Sequence, residues 1–448
     1  MKFRNIMNDH GHVHPDNTDI TYHKPWDYMT PHRWDWIDQI NLDRLRKGRM
    51  DRAKEQLFKK NDFGAFLCLN EWNMRYITST YTPFWTTPSS GLRYSLFPRG
   101  NDVPIVYEQG DNQYHTKRIN PWIGKENVKV AISGVMGWTN WVFGPNGQQV
   151  QLRKFVEQIK GDLKAHGVER EKLVTDFYDP IVFEALKKEG IQVTTEGTEA
   201  LGEARRIKLP EEIACINMQC RIAEASFQTI TETMKPGVSE VDIMANIMKT
   251  VYSMGGEVSI PGIFVSSGPY TYPNLRATTG RRIVPRDTLV CDMYNSSFNG
   301  YKVCYYRSFS QGRPHPNIVK IYKEMYDWLY DSIKILKPGI TTRDLAAKWP
   351  AANEIDSWKL IGVQDEDGAA ANNWGHGIGL TLYEPPIVFR GTSLDAPQTI
   401  DAWQTLALET QHYDAETGLG VRIEEVVLVT DTGYELLSKW PVEEITVV

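Results

Sequence analysis

The sequence predicts two domains, an α/β domain that ends near residue 200 and an α+β domain that follows it. Short apolar runs alternate with helical patterns in the first part of the chain, which is typical of α/β units. In the second part, a helix followed by Lys-Pro-Gly and a new helix occurs twice, at 235–237 and at 337–339. A repeat of this kind indicates a duplicated domain with pseudo-twofold symmetry.

The α/β domain is assigned to residues 41–200, after a polar N-terminal arm at 1–40. Helices are predicted over 42–60 and 149–166, where apolar residues recur at mostly helical spacing. Strands are predicted where short runs of β-branched, aromatic and aliphatic residues occur, at 63–69, 103–108, 127–132 and 173–176.

The second domain is assigned to residues 201–448 and opens with a long helix. Pro210, Glu211 and Glu212 mark the start of that helix, because a first turn lacks amide partners and favours proline and acidic residues. The Lys-Pro-Gly segments then end two helices. Proline and glycine are common at helix ends, so chance could also produce such a pair.

Composition excludes several classes of function. The 448 residues are 41% apolar and 24% charged, as in ordinary globular proteins, and the net charge of −6 argues against a nucleic-acid or anionic-membrane partner. No apolar run approaches the length of a membrane span, and an odd set of five cysteines does not suggest a disulfide framework. We therefore expect a cytoplasmic protein that acts on a small molecule.

Five side chains at the ends or starts of strand-like runs are candidates for chemistry: Asp292, Cys304, His376, Glu409 and Glu424. Carboxylates and one imidazole suit a divalent metal, and a thiol among them favours a softer ion. Simpler interpretations exist, since a strand-end aspartate can cap a turn and a histidine among glycines can be a turn residue. The five residues are informative because they occur as a set.

Several motifs give the chain a resemblance to a known family. They are Arg205-Arg206-Ile207-Lys208, Ser266-Ser267-Gly268-Pro269, Asp287-Thr288-Leu289-Val290-Cys291-Asp292, Gly300-Tyr301 with Arg307-Ser308-Phe309, His376-Gly377-Ile378-Gly379-Leu380, Glu384-Pro385-Pro386 and Val421-Arg422-Ile423-Glu424-Glu425. The chain resembles the pita-bread family of creatinase, prolidase and aminopeptidase P, with similarity to the dimethylsulfoniopropionate lyase branch. The resemblance implies a creatinase-like N-terminal α/β domain and an α+β pita-bread catalytic domain.

The resemblance also implies a ligand set. Metal-using members clamp one or two divalent ions with two Asp, one His and two Glu, and four of these positions correspond to Asp292, His376, Glu409 and Glu424. Cys304 stands at the position of the second Asp. Without that bridging carboxylate we expect at most one ion, iron or zinc, because two ions need shared oxygen ligands. Alternatively, Cys304 fills the same space in a site without metal.

Other departures from the family pattern affect the catalytic residues. Tyr383 replaces the histidine that metallopeptidases place ahead of Glu384, and Arg276 stands near the position of creatinase's catalytic histidine. Tyr294 stands where the family often has a second acid. The general base of the lyase branch would fall at Leu382, so that Tyr383 or Glu384 would have to replace it.

Aromatic rings and arginines are candidates for substrate binding. Rings attract quaternary ammonium and sulfonium groups, and an arginine binds a carboxylate with its forked donors. The residues assigned to this role are Trp85, Arg93, Arg276, Tyr294 and Arg422. Core packing is the commoner role of any single ring.

These features together predict a hydrolase or lyase that cleaves a C–N or C–S bond in a small polar or zwitterionic compound. His376 would act as acid/base or metal ligand, and Glu409 and Glu424 as ligands or orienting carboxylates. The alternatives are a metal-dependent lyase of the dimethylsulfoniopropionate type, an Xaa-Pro peptidase, or an inactive binding protein on the same fold. The resemblance further implies a homodimer, for which Trp26, Trp34 and Trp36 of the N-terminal arm offer apolar anchors.

Overall fold

The computed structural model describes residues 40–81, 93–259, 262–272, 276–355, 358–359 and 373–448. The chain divides into two compact units, residues 1–205 and 206–448. The assigned N-terminal arm, with Trp26, Trp34 and Trp36, lies outside the described residues except for Ile40, and so does Trp85.

The N-terminal unit is built around one mixed sheet of six strands. They are β1 (Ala65–Cys68), β2 (Tyr94–Pro98), β3 (Ile105–Glu108), β4 (Val128–Val130), β5 (Leu173–Thr175) and β6 (Val193–Thr194). Their order is β4-β3-β2-β1-β5-β6; β2 runs antiparallel to both neighbours, and the other three pairs are parallel. The predicted strands at 63–69, 103–108, 127–132 and 173–176 are therefore confirmed.

Helices accompany this sheet along the chain. They are α1 (Leu42–Lys54), α2 (Glu71–Thr78), α3 (Asn112–Ile119), α4 (Asn140–Ala165), α5 (Pro180–Lys188) and α6 (Gly197–Arg206). A π-helical turn at Glu55–Lys60 continues α1, and α4 bends at Gly144, where φ is +69°. The buried face of α4 includes Phe155 and Ile159, which pack into one core with residues of the central strands.

Five α-helices of the second unit lie wholly within the described residues. They are α7 (Pro210–Thr233), α8 (Glu240–Ser253), α9 (Pro316–Ile333), α10 (Thr342–Ala346) and α11 (Arg390–Asp395). The predicted helix start at Pro210 is confirmed. Glu212 caps it, since its carboxylate accepts a hydrogen bond from the Leu209 N–H at 2.8 Å.

Twelve strands of the second unit form three sheets. The strands are β7 (Glu257–Val258), β8 (Phe264–Ser267), β9 (Thr288–Asp292), β10 (Ser296–Phe298), β11 (Tyr301–Lys302), β12 (Tyr306–Ser310), β13 (Asn373–Gly377), β14 (Glu384–Phe389), β15 (Thr405–Asp414), β16 (Leu419–Val429), β17 (Tyr434–Leu436) and β18 (Thr446–Val447). The sheet orders are β11-β10-β7, β18-β12-β9-β8 and β14-β13-β15-β16-β17. The strands that hold the candidate residues belong to the second and third sheets.

The two Lys-Pro-Gly segments have the same backbone geometry, as a duplicated domain requires. Gly237 and Gly339 have φ of +89° and +88°, a region that glycine tolerates without strain. The Gly237 N–H donates to the Ile283 carbonyl and the Gly339 N–H to the Ile400 carbonyl, each at 2.8 Å. The two segments are therefore equivalent in structure as well as in sequence.

This equivalence continues into the strands that carry the candidate acids. Asp292 lies nine residues after Ile283, and Glu409 lies nine residues after Ile400. Asp292 ends β9, and Glu409 lies in β15. Asp292 and Glu409 therefore occupy corresponding positions in the two halves of the second unit.

Candidate active site

Three buried side chains bring possible metal-binding atoms together in the second unit. The Cys304 Sγ, an imidazole nitrogen of His376 and a carboxylate oxygen of Glu424 all lie within 4.8 Å of one another. Cys304 lies between β11 and β12, His376 in β13 and Glu424 in β16, so three separate parts of the chain meet here. Thiolate, imidazole and carboxylate together suit one zinc or iron ion.

Two antiparallel strand pairs present the acids to this cluster. In the β9–β12 pair, Asp292 lies directly opposite Tyr306, and in the β15–β16 pair, Glu409 lies directly opposite Glu424. Directly opposed side chains project to the same face of a sheet, so each pair points one way. The Ser308 hydroxyl joins β12 to β16, because it bonds the N–H and the carbonyl of one β16 residue at 2.8 Å each.

The residues on either side of His376 must be glycines, because the backbones of the neighbouring strands lie too close for a side chain. A Cβ at Gly375 would lie 2.7 Å from the Ala407 carbonyl oxygen, and a Cβ at Gly377 would lie 2.6 Å from the Glu384 carbonyl oxygen. Register shifts interrupt the β13–β14 pairing on both sides of His376. Bulges of this kind turn a side chain out of the regular alternation, which allows the imidazole to face the cluster.

The hydrogen bonding of His376 favours a neutral ring with a free lone pair. Its Nδ1 lies 2.9 Å from the Gly377 carbonyl oxygen, which assigns the proton to Nδ1. Among the described residues, Nε2 has no hydrogen-bond partner and is buried. Burial lowers the pKa of His376, and this outweighs the opposite effects of Glu409 and of the Gly377 and Leu382 carbonyls. A neutral imidazole with a free Nε2 is the form that binds a metal.

Glu424 of the cluster and the neighbouring Asp292 have carboxylate oxygens that lack partners. Within the described parts of the chain, both oxygens of Glu424 and the Oδ2 of Asp292 are buried without a hydrogen bond. Burial raises the pKa of Asp292 to about 7 and the pKa of Glu424 well above its usual range; the charge of Glu409 raises both further. Buried carboxylates are costly unless a proton or a cation compensates them.

Cys304 is fully enclosed in the same environment. Its Sγ lies 3.9 Å from the Asp292 Oδ1. Burial first, and then the charges of Asp292 and Glu424, raise the pKa of the Cys304 thiol well above its usual value. Without a cation the sulfur therefore stays protonated and is not a nucleophile. A bound divalent cation would favour the thiolate.

Glu409, a predicted ligand, already has a strong protein partner. Arg422 donates to its Oε2 from Nε at 3.0 Å and also from Nη2. The Arg422 guanidinium lies 4.0 Å from the centre of the Tyr306 ring. Burial alone would lower the pKa of Arg422, but Glu409 and the other acids raise it well above its usual value. Arg422 is therefore bound to the carboxylate of Glu409 in this structure.

Two tyrosines lie beside the metal-binding atoms. The Tyr383 ring centre is 4.3 Å from that of His376, and Tyr383 is 48% exposed, so it reaches solvent. The Tyr294 phenol contacts the Tyr383 phenol and lies near the charges of Cys304 and Asp292. Burial raises the pKa of both phenols, which remain protonated at neutral pH and act as hydrogen-bond donors.

Glu384, a predicted catalytic residue, is held by contacts with the protein. Its Oε2 accepts a hydrogen bond from the Lys208 Nζ at 2.6 Å, and its Oε1 accepts one from the Thr381 N–H at 3.3 Å. Both Lys208 and Glu384 are almost fully buried. A paired carboxylate in this position stabilises the turn after β13 and is poorly placed to take a proton from a substrate.

The remaining predicted substrate-binding arginines pair with acids elsewhere. The Arg276 Nη2 lies 2.8 Å from the Glu240 Oε1, and the Arg276 guanidinium stacks on Tyr270 at 4.2 Å. In the N-terminal unit, the Arg93 Nε lies 2.6 Å from the Glu108 Oε1. Neither contact involves the metal-binding cluster.

Tyr306 and Lys208 contribute to this region, although the sequence did not single them out as site residues. The sequence could have indicated Lys208, because a buried acid such as Glu384 needs a cationic partner. The position of Tyr306 opposite Asp292 depends on the path of the chain through β10 and β11. That path includes Asn295 and Asn299, which have positive φ of 56° and 50°.

The chain is similar to several known proteins. Residues 214–431 match metallopeptidase family M24, and this segment includes all five candidate ligands. The uncharacterized peptidase YqhT of Bacillus subtilis is 27% identical over 245 residues, covering 55% of this chain. The chain spans 65% of the length of YqhT, slightly under two thirds.

A second relative matches over a longer range. The dimethylsulfoniopropionate lyase DddP of Roseovarius nubinhibens is 22% identical over 420 residues, which cover 90% of this chain and 87% of DddP. Among solved structures, the X-Pro aminopeptidase from Thermotoga maritima superposes with a TM-score of 0.68 at 19% identity, covering 88% of this chain and 99% of that one. The TM-score shows that the two chains share a common fold.

None of the helices within the described ranges is long and apolar enough to cross a membrane. The predicted fold, an α/β N-terminal domain followed by a pita-bread domain, is confirmed by the structural neighbours. Residues 214–431 therefore resemble metallopeptidase family M24, and the chain is similar to DddP along most of its length.

Proposed function

We propose that the chain is a hydrolase or lyase of family M24 that uses one divalent ion, zinc or iron, to cleave a C–N or C–S bond in a small polar or zwitterionic compound. The observation that carries this proposal is the convergence of Cys304, His376 and Glu424 within 4.8 Å. Burying an unpaired polar group costs about 1–3 kcal/mol. An inactive binding protein would have little reason to retain several such groups together in its core.

Four of the predicted ligands have an atom that is free to bind the ion. These atoms are the Cys304 Sγ, the His376 Nε2, a Glu424 oxygen and the Asp292 Oδ2, of which the last three lack hydrogen-bond partners in the described residues. Sulfur, nitrogen and oxygen donors of these kinds are ligands that zinc and iron accept. Glu409 is a weaker candidate, because Arg422 already binds its Oε2.

When bound, a divalent ion supplies Lewis-acid chemistry: it polarises a substrate oxygen and stabilises negative charge that develops there. Tyr294 and Tyr383 supply donors on the solvent side of the cluster. Their protonated phenols can bind a substrate carboxylate or protonate a leaving group, and their ring faces attract a cationic group.

A lyase is the second candidate, and the length of the match to DddP favours it. The similarity to DddP covers 90% of this chain, whereas that to YqhT covers 55%. Elimination requires a base, and neither Leu382 nor the buried, paired Glu384 can serve. We assign the base in that case to Glu409, because Arg422 contacts only its Oε2 and leaves Oε1 available.

The experiment that tests the proposed function is a metal analysis combined with a substrate panel. The purified protein would be offered Xaa-Pro dipeptides, creatine-like compounds, betaines and sulfonium zwitterions. We expect turnover of one class, lost on chelation and restored by zinc or iron. Release of a thioether and an alkene would identify the lyase, and release of an amine or amino acid the hydrolase. A protein that holds no ion and turns over none of these classes would contradict the proposal.

A further inference from the structure

The two repeated halves of the second unit differ in the residue that lies opposite the equivalent acid. Asp292 and Glu409 are equivalent in the repeat, and each has a residue directly opposite it on the neighbouring strand. Opposite Glu409 lies a second carboxylate, Glu424. Opposite Asp292 lies Tyr306, so one half of the site offers two acids and the other offers an acid and a phenol.

Tyr306 fills space inside the site. It is 3% exposed, and its phenol lies within hydrogen-bonding reach of Asp292. The Arg422 guanidinium lies over its ring at 4.0 Å and at the same time binds the Glu409 carboxylate. A ring and a guanidinium therefore lie next to the two equivalent acids, Asp292 and Glu409.

This arrangement opposes a second cation because the ring fills the space that the ion would need. Paired metal ions about 4 Å apart need carboxylates that bridge them, and the ring of Tyr306 occupies space beside Asp292 that a bridged ion would require. The Arg422 guanidinium lies over the ring and binds Glu409, which restrains the ring in this position. The effect does not involve Cys304.

We propose that Tyr306 is a positioning residue that limits the site to one cation, with Arg422 seated on its ring. This inference rests on the single-ion site of the proposed function and extends it. The Cys304 substitution is then only one of two barriers to a dinuclear site. Restoring an acid at 304 alone should not create the second metal position, whereas restoring the acid and removing the ring should.

Cobalt titration of four proteins tests this inference: the wild type, Cys304→Asp, Tyr306→Thr and the double variant. Threonine keeps a hydroxyl and favours a strand, so it suits position 306. Equilibrium dialysis would give the number of ions per chain, and circular dichroism would verify folding. We expect one ion for the wild type and for each single variant, and two for the double variant. Two ions in Cys304→Asp alone, or one in the folded double variant, would overturn the role of Tyr306.

A matched control separates the ring from its hydroxyl. Cys304→Asp/Tyr306→Phe keeps the ring and removes only the phenol oxygen, so we expect it to bind one ion and to fold even where threonine does not. Two ions in that variant would contradict exclusion by the ring. If the wild type binds no cobalt, the proposed function fails. The comparison of Cys304→Asp with the two double variants still decides whether the ring excludes a cation.

Discussion

Arg422 donates two hydrogen bonds to one carboxylate oxygen of Glu409, from Nε at 3.0 Å and from Nη2. Glu424 lies directly opposite Glu409 in the strand register, yet both of its oxygens lack partners in the described structure. The two glutamates are therefore not interchangeable. Glu409 is fixed by the protein, and Glu424 is available to a ligand.

This difference predicts unequal effects of neutralising the two acids. Glu424→Gln should weaken zinc binding at least about a hundredfold, because it removes a ligand charge with no competing partner. Glu409→Gln should weaken zinc binding about tenfold or less, because it removes a negative charge near the ion but no ligand atom. Competition with a fluorescent chelator would measure both affinities. The reverse order would show that Arg422 does not exclude Glu409 from the ion.

Removing Arg422 should destabilise the protein through its partner. Arg422→Met leaves the buried Glu409 without its cation, and breaking a buried ion pair in this way costs about 3–5 kcal/mol. The double variant Arg422→Met/Glu409→Gln should recover part of the loss. Urea unfolding of the metal-free proteins would measure the coupling free energy between Arg422 and Glu409. Additive losses in the double variant would show that the pair contributes nothing to stability.

His376→Ala should reduce turnover at least about a hundredfold and abolish tight metal binding. The substitution should also destabilise the fold. Because the imidazole is fully buried and packs 4.3 Å from the Tyr383 ring, its removal leaves a cavity and costs about 1–3 kcal/mol. Thermal melts of chelated protein measure the loss of stability, and assays with excess zinc measure the loss of turnover. Full activity of the folded variant would exclude His376 from the reaction.

The metal-free protein should become less stable as pH rises. Burial raises the pKa of Asp292 to about 7 in the folded state, against about 3.9 in an unfolded chain, and the pKa of Glu424 shifts in the same direction. The folded state therefore holds more protons between these values, and stability declines by up to about 1.4 kcal/mol per pKa unit for each group. Zinc affinity should rise over the same range, because binding displaces those protons.

Unfolding midpoints in chelator from pH 5 to 8 would measure this decline. Asp292→Asn is the matched control. Its amide side chain does not titrate, so the unfolding midpoint of this variant should depend less on pH. Identical slopes for the two proteins would contradict the shifted pKa of Asp292.

Strand and helix patterns were sufficient to predict the alternating elements of the N-terminal unit and the start of α7, because those signals are local. The Lys-Pro-Gly repeat predicted a duplication, and the equivalent hydrogen bonds of Gly237 and Gly339 are its structural basis. Register across strands is not local. The sequence therefore could not place Tyr306 opposite Asp292, or Arg422 on Glu409.

Side-chain pairing limited the assignment of charged residues in the same way. The charge of Arg93 and Arg276 and their surroundings in the sequence predict a role in substrate binding. Each has an acid partner, Glu108 and Glu240, that is distant along the chain. Glu384 is likewise paired with Lys208, 176 residues away. Such contacts follow from the tertiary fold and leave no periodic signal.

A single metal ion held in part by the Cys304 thiolate would give the cobalt-substituted protein a characteristic absorption spectrum. We predict one cobalt ion per chain and a thiolate-to-cobalt charge-transfer band in the near ultraviolet. The band should disappear in Cys304→Ser, while His376→Ala should lose the ion altogether. Two ions per chain, or a spectrum that does not change in Cys304→Ser, would contradict a single thiolate-bound ion.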